Sequence, residues 1–238
     1  YKMKNILITG CSRGIGFSAV KLFVRDSDVN IFAISRNKEG LLKLKKECRL
    51  INKNSNIYTF SYDLSDLSKI NKITNDITSN LNGDLDGLIN NAGFLVKKKF
   101  TQISIKELEN SFKINCFAPF LLIQNLMPFF AKNAHILSIS SMGGFQDSKK
   151  FPGLSVYSTS KSTLITLTQC LAEEFKTTGL TFNCLALGAV QTEMLNQAFP
   201  GYKAPMNADK MAQFIVDFYF KGSCYFNGQV LPVSLTIP

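Results

Sequence analysis

Short apolar runs recur along the chain at Asn5–Thr9, Asn30–Ser35, Asn56–Ser61, Gly87–Asn90, His135–Ser140, Thr181–Leu187 and Gln229–Val233. Each has the length of a strand. Between most of them lie longer segments with helical spacing, such as Leu41/Leu42/Leu44 with flanking lysines, and Ser65 to Leu81. Phe17, Val20, Lys21, Phe23 and Val24 likewise mark an amphipathic helix directly after the first strand. Strand–helix–strand alternation implies a parallel sheet covered by helices on both faces. Right-handed crossovers then leave few topologies, and a doubly wound α/β sheet is the one expected. No shift of composition, repeat or linker marks a second unit, so residues 1–238 read as one domain.

Composition narrows the class. The chain has 238 residues, with 45% apolar and 18% charged, as in an ordinary soluble globule. The apolar run after Tyr1–Asn5 is too short for a signal peptide, and Phe117 to Ala131 is broken by Pro119, Gln124, Asn125 and Pro128 before it could span a membrane. Cys11, Cys48, Cys116, Cys170, Cys184 and Cys224 form no CxxC pair, and His135 is the single histidine. No metal site is expected, and the cysteines read as reduced thiols of a cytoplasmic protein. His135 sits in the apolar run Ala134-His135-Ile136-Leu137, which fits a structural histidine better than a general base. The net charge of +10 draws anions in general. Its clusters, Lys97-Lys98-Lys99 and Lys43/Lys45/Lys46/Arg49, accompany no nucleic-acid motif, so neither nucleic acid nor membrane is expected as a partner.

Chemistry enters at Thr9-Gly10-Cys11-Ser12-Arg13-Gly14-Ile15-Gly16, between the first strand and the first helix. A tight glycine turn lets backbone N–H groups approach an anion, and the helix N-terminus adds about half a positive charge. In dinucleotide folds an acid about 20 residues further on binds the ribose 2′-OH, whereas an arginine there accommodates a 2′-phosphate. Arg36 stands at that place, and Arg13 lies in the loop itself. Two guanidiniums favour NADP(H) over NAD(H). A second constellation is Tyr157 and Lys161, on one face of a helix expected to run from Ser155 to about Thr178. A neighbouring ammonium, together with the charge of an oxidised nicotinamide, would lower the phenol pKa and suit proton exchange with a carbonyl or alcohol oxygen.

These motifs, with Asn90-Asn91-Ala92-Gly93 and Ser140-Ser141 between them, resemble the classical short-chain dehydrogenase/reductase family over nearly the whole chain. The resemblance implies a Rossmann-type fold with a mostly parallel seven-stranded sheet in the order 3-2-1-4-5-6-7. It implies Tyr157 as general acid in reduction and base in oxidation, and Lys161 as the group that lowers its pKa and holds the nicotinamide ribose. Ser141 would bond the substrate oxygen, and Asn115 would hold a relay water. Gly10, Ser12, Arg13, Gly14, Ile15, Gly16 and Arg36 would hold the phosphates, and Asp63 and Leu64 would stand beside the adenine. Asn90, Ala92 and Gly93 would line the adenosine side, while Gly188, Val190 and Thr192 would meet the nicotinamide. Helices 105–131 and 155–178 would pair copies into a homodimer or homotetramer.

The chain departs from the family pattern in places. Leu187-Gly188 stands where the family has Pro-Gly, and Ser141 and Tyr157 are about three residues further apart than usual. The segment 189–206 reads as a short, irregular lid. Phe94, Met142–Phe151, Leu154 and Met194, with Phe145 and Phe151 prominent, would wall an apolar substrate pocket. The activity expected is therefore an NADP(H)-dependent carbonyl/alcohol oxidoreductase acting on an apolar small molecule. A 3-oxoacyl-carrier-protein reductase and a non-catalytic cofactor-sensing protein are the alternatives.

Overall fold

In the computed structural model, which describes residues 3–235, each apolar run becomes a strand and each amphipathic segment a helix. The order is β1 (Lys4–Thr9), α1 (Gly14–Asp26), β2 (Val29–Ser35), α2 (Lys38–Ile51), β3 (Asn56–Ser61), α3 (Ile70–Thr78) and β4 (Leu85–Asn90). There follow α4 (Ile105–Phe112), α5 (Ala118–Leu126), β5 (Phe130–Ser141), α6 (Ser155–Glu174) and β6 (Thr181–Leu187). The chain closes with β7 (Val190–Gln191), α7 (Glu193–Ala198), β8 (Met206–Asn207), α8 (Ala208–Lys221) and β9 (Val230–Val233).

Seven strands form one parallel sheet in the order β3-β2-β1-β4-β5-β6-β9, the expected topology with β9 as its seventh strand. The period-two alternation of the strands feeds two cores. Ile6, Ile8, Ile31 and Ala33 pack with Val20 and Phe23 of α1, Leu44 of α2 and Ile215 of α8. Leu7, Phe32 and Ile34 pack on the opposite face with Ile73 and Ile77 of α3 and Leu122 and Leu126 of α5. Both faces are covered, which is why the strands read as apolar runs rather than as strict alternation. After β3 the chain returns to pair β4 with β1, so the strand order reverses between β1 and β4. The crevice at that switch point lies beyond the carboxyl ends of the strands, where such folds bind ligands.

Two helical expectations are corrected. The segment 105–131 is not one helix. It breaks into α4, a π-helical stretch Lys113–Phe117, α5 and a short 3₁₀ turn Met127–Phe129. Pro119 has no N–H to give the carbonyl of Asn115, so the α-helical ladder cannot run through this point, and Ala118 N–H reaches back to Lys113 O instead. The helix from Ser155 ends at Glu174 rather than near Thr178, and a turn leads to Gly179 at a φ of 88°. The lid is less irregular than its Pro200-Gly201 and Pro205 imply: β7 and β8 pair in parallel around α7.

His135 is structural. It is buried, its Nδ1 lies 2.9 Å from the carbonyl oxygen of Tyr219, and its Nε2 is 3.2 Å from Asn183 Nδ2. A carbonyl only accepts, so the proton sits on Nδ1 and Nε2 accepts from Asn183. Burial pushes the imidazole down from 6.5 to about 4. Between these values an unfolded chain binds a proton that the folded protein refuses, so the contribution is present above pH ~6.5 and is lost as pH falls toward 4. On the order of 3 kcal/mol is involved. Thermal unfolding followed from pH 7 to 4.5 should show a steeper loss of Tm in the wild-type protein than in His135→Gln. Parallel curves would contradict the assignment.

Candidate active site

The floor of the crevice is built by backbones in contact. Gly10 adopts a φ of 75° and Gly14 of 58°, both left-handed values that favour glycine. A Cβ on Gly16 would lie 2.4 Å from the carbonyl oxygen of Gly10 and 2.5 Å from Asn91 Nδ2. One on Gly10 would lie 2.9 Å from the Cα of Ala92. Asn91 locks the arrangement: its Nδ2 donates to Thr9 O at 2.9 Å and to Gly10 O at 3.3 Å. Thr9 Oγ1 accepts from the N–H groups of Asn91 and Ala92 at 3.1 and 2.9 Å. The first turn of α1 has no acidic residue, and no side chain caps it. Its N–H groups are therefore available to an anion at the end of a turn whose close approach to the segment after β4 requires glycine. This donor set fits a dinucleotide pyrophosphate.

At the edge of the cradle, Ser35 Oγ donates to Ser12 Oγ at 2.8 Å, and Ser61 Oγ donates to the carbonyl of Arg36. The two arginines turn in different directions. Arg36 Nη1 stands 3.9 Å from Asp63 Oδ2, both on open surface. Arg13 Nη1 meets Glu193 Oε2 at 2.5 Å, a bridge from the glycine loop to the first turn of α7 in the lid.

Tyr157 and Lys161 stand one turn apart on α6, and Ser141 ends β5. Lys161 is buried, and its Nζ donates to Ile139 O at 2.8 Å. Loss of water lowers its ammonium from 10.5 to about 8, against a smaller opposing effect of Cys184. Tyr157 keeps part of its surface open to the crevice, yet loss of surrounding water raises its phenol above the ordinary value, and a hydrogen bond with Ser141 only partly offsets this. Within the protein itself desolvation dominates at Tyr157, and the Lys161 ammonium is directed to the carbonyl of Ile139. Asn115 sits in the π-helical stretch with both amide ends engaged. Its Oδ1 accepts from Phe94 N at 2.8 Å, and its Nδ2 donates to Phe94 O at 2.8 Å and Ser160 Oγ at 2.9 Å. It pins the loop after β4 to α6.

A cleft of about 720 Å³ gathers these groups. It is lined by Gly10, Ser12, Arg13, Gly14, Ile15, Gly16, Arg36, Asp63, Leu64, Ala92 and Gly93. Ser141, Tyr157, Lys161, Gly188, Val190 and Thr192 complete that set. Two expected residues stand behind the wall. Asn115 is buried, and Asn90, the last residue of β4, points into the protein with both side-chain atoms unpartnered among the described residues. Strand alternation turns Asn91 rather than Asn90 toward the crevice. Phe94, Met142, Phe151, Leu154 and Met194 do line it, whereas Phe145 does not. Phe199, Tyr202 and Glu193 of the lid line it without having been anticipated, because their approach depends on the β7–β8 pairing of two-residue strands that periodicity does not reveal.

The family model described as short chain dehydrogenase matches residues 4–203. A benzil reductase ((S)-benzoin forming) of Saccharomyces cerevisiae is 29% identical over 197 residues, spanning 80% of this chain and 73% of that protein. An uncharacterized oxidoreductase of Bacillus subtilis is 31% identical over 223 residues, spanning 92% and 80%. Among solved structures, a short chain dehydrogenase from Burkholderia cenocepacia J2315 in complex with NADP is similar with a TM-score of 0.86 at 22% identity, over 97% of this chain and 96% of that one. That likeness is one of fold.

The raised phenol of Tyr157 has a direct readout. With no nucleotide added, the difference in phenolate absorbance between wild type and Tyr157→Phe should appear only at higher pH than that of an ordinary exposed tyrosine. A Tyr157 phenolate appearing near neutrality would contradict the burial argument.

Proposed function

The chain belongs to the short-chain dehydrogenase/reductase family of oxidoreductases, and from that premise we propose that it interconverts a carbonyl and an alcohol with NADP(H), Tyr157 acting as general acid and base. The observation that carries this reading is the convergence of Tyr157, Ser141 and Lys161 in the same cleft as the glycine cradle. A bound nicotinamide supplies or accepts the hydride, and the protein's own groups manage the substrate oxygen and its proton. Ser141 Oγ accepts from Gly143 N at 3.2 Å and gives its hydrogen to the Tyr157 oxygen, and a substrate oxygen seated between the two would take that hydrogen in place of Tyr157. Tyr157 holds its proton at neutral pH in the free protein, which suits donation to a carbonyl oxygen in the reductive direction. Lys161 and Tyr157 would hold the ribose, and Thr192, Gly188 and Val190 would face the nicotinamide. Arg13 and Arg36 would take the 2′-phosphate, with Asp63 and Leu64 beside the adenine.

Further support comes from the walls and from relatives. Leu95, Met142, Phe151, Leu154, Met194 and Phe199 give an apolar chamber, in keeping with an apolar carbonyl compound and with the benzil reductase name of the yeast relative. The NADP in the Burkholderia structure favours the same cofactor here. Phe117 and Phe120, each 46% exposed on the α4–α5 side, fit that side as the contact of a homodimer or homotetramer. No described helix is long and apolar enough to cross a membrane, and every cysteine is free, which suits a reducing compartment such as the cytoplasm.

Two measurements test the proposal. Across a panel of apolar ketones and aldehydes, the wild-type protein should oxidise NADPH, and Tyr157→Phe should lose at least ~100-fold in kcat, the range a positioned acid–base group contributes. Tight NADPH binding with no turnover of any carbonyl would move the chain to a sensing role. In binding titrations, Arg13→Ala/Arg36→Ala should weaken NADPH by roughly 10–100-fold, as expected for charge-assisted bonds, and NADH by less than ~3-fold. An equal loss for both cofactors would reject the 2′-phosphate assignment.

A further inference from the structure

Three consecutive lysines, Lys97-Lys98-Lys99, follow the NNAG segment and lead away from the cleft floor. They do not share one environment. Lys98 Nζ is neutralised by Glu107 Oε1 at 2.6 Å, on the N-terminal turn of α4. Lys97 instead lays its ammonium over the ring of Phe199, with Nζ 4.0 Å from the ring centroid. Phe199 belongs to segment 189–206 and lines the cleft, so the exposed ammonium of Lys97 lies beside one residue of the cleft wall, although Lys97 does not itself line the cleft. Its base is fixed as well. Lys98 N donates to Gly153 O at 3.0 Å, and a Cβ on Gly153 would lie 3.4 Å from Lys97 Cγ. The stem therefore rests on the loop that carries Phe151, another wall of the chamber. Glu193, the acid in the cleft wall on the lid side, is already bound to Arg13.

We propose that the carbonyl substrate carries an anionic end, a carboxylate or a phosphate ester, and that Lys97 receives it at the mouth of the cleft. This rests on the reading of the cleft as a carbonyl reductase site. An aromatic face holds an ammonium without neutralising it, so the full charge stays available to an incoming anion. The apolar chamber takes the body of the substrate, and a lysine at the rim supplies a compact point charge. Such a mouth discriminates by charge and acts on binding, whereas Tyr157 and Ser141 act on the reacting oxygen.

The test uses three probes with one apolar ketone body: 4-oxo-4-phenylbutanoate, its methyl ester, and a phosphate monoester of the same chain length. Their equilibrium binding to the NADP+-loaded full chain is measured by isothermal titration calorimetry. At least one anionic probe should bind ~10-fold or more tightly than the ester, and the larger gap identifies carboxylate or phosphate. The gap should close to within ~2-fold in Lys97→Gln and survive in Lys97→Arg. It should shrink in 0.5 M salt, where a rim charge is screened. Lys46→Gln, which removes the same charge from the outer face of α2, should keep the gap and so separates a local site from the general basic field. Equal binding of ester and anions, or a gap that persists in Lys97→Gln, would overturn the proposal. Turnover of the same probes reports separately on the reductase reading, because binding discrimination by Lys97 can hold or fail whether or not the ketone is reduced.

Discussion

Everything at the cleft depends on three backbones meeting with no side chain between them. The end of β1, the first turn of α1 and the segment after β4 approach so closely that a single Cβ on Gly16 would overlap a carbonyl oxygen and an amide at once. Glycine alone permits this, and the left-handed values at Gly10 and Gly14 add a conformational reason to the steric one. Asn91 and Thr9 then fix the approach by polar bonds that run between strands rather than along them. With β1 and β4 adjacent in the sheet, the switch point and the anion cradle coincide. The position of every other functional group is measured from this crossing.

The reacting groups hang from the other side of that frame, and their chemistry is set by how dry it is. Lys161 sits inside the protein with the carbonyl of Ile139 as partner, and burial lowers its ammonium to about 8. Tyr157, on the wall, is left with its proton. Burial thus favours the neutral phenol, while the hydrogen bond from Ser141 acts in the opposite direction. The interior of α6 is held to the frame through Asn115 and Ser160, and Ser160 also donates to the carbonyl of Tyr157 at 2.9 Å. The π-helical stretch at 113–117 matters for this reason. It is the local consequence of Pro119, and it delivers Asn115 to the back of the Tyr157 helix.

Much of this was legible in the sequence. Strand–helix alternation yielded the doubly wound sheet, because strands buried on two faces must read as apolar runs. The glycine loop, Tyr157, Lys161 and Ser141 announced themselves by spacing. What escaped reading were features that depend on a neighbour distant in sequence. Asn90 and Asn91 are chemically identical, and only the pleat of β4 decides which one faces the crevice. Phe145 and Phe151 looked equivalent in one loop, and only the latter reaches the wall. The spacing of Tyr157 and Lys161 shows a charged neighbour but neither the burial that raises the phenol nor the carbonyl of Ile139 that takes the Lys161 proton. The break in 105–131 was foreshadowed by Pro119, though not the register into which the chain would slip.

The lid contrasts with this rigid floor. Its helix α7 has six residues, far fewer than an isolated helix needs to persist in water. It is anchored by its Thr192 cap, whose hydroxyl accepts from Leu195 N, and by the two-residue pairing of β7 with β8. At its two ends Val190 and Met206 join the core shared by α1 and α8, and between them its charged ties to the body include the Arg13–Glu193 bridge and Lys97 against Phe199. Exposed ion pairs contribute about 0–1 kcal/mol, and exposed cation–π contacts about 0.5–1. Both are small beside the buried crossing of β1, α1 and β4. Low local stability is expected where a segment must move to admit a ligand. Both ties use cations that stand where anions are expected to bind, so the groups that hold the lid in the free protein are the same ones a charged ligand would engage. With the proposed anions at Arg13 and Lys97, occupancy of the cleft would compete with both contacts of segment 189–206.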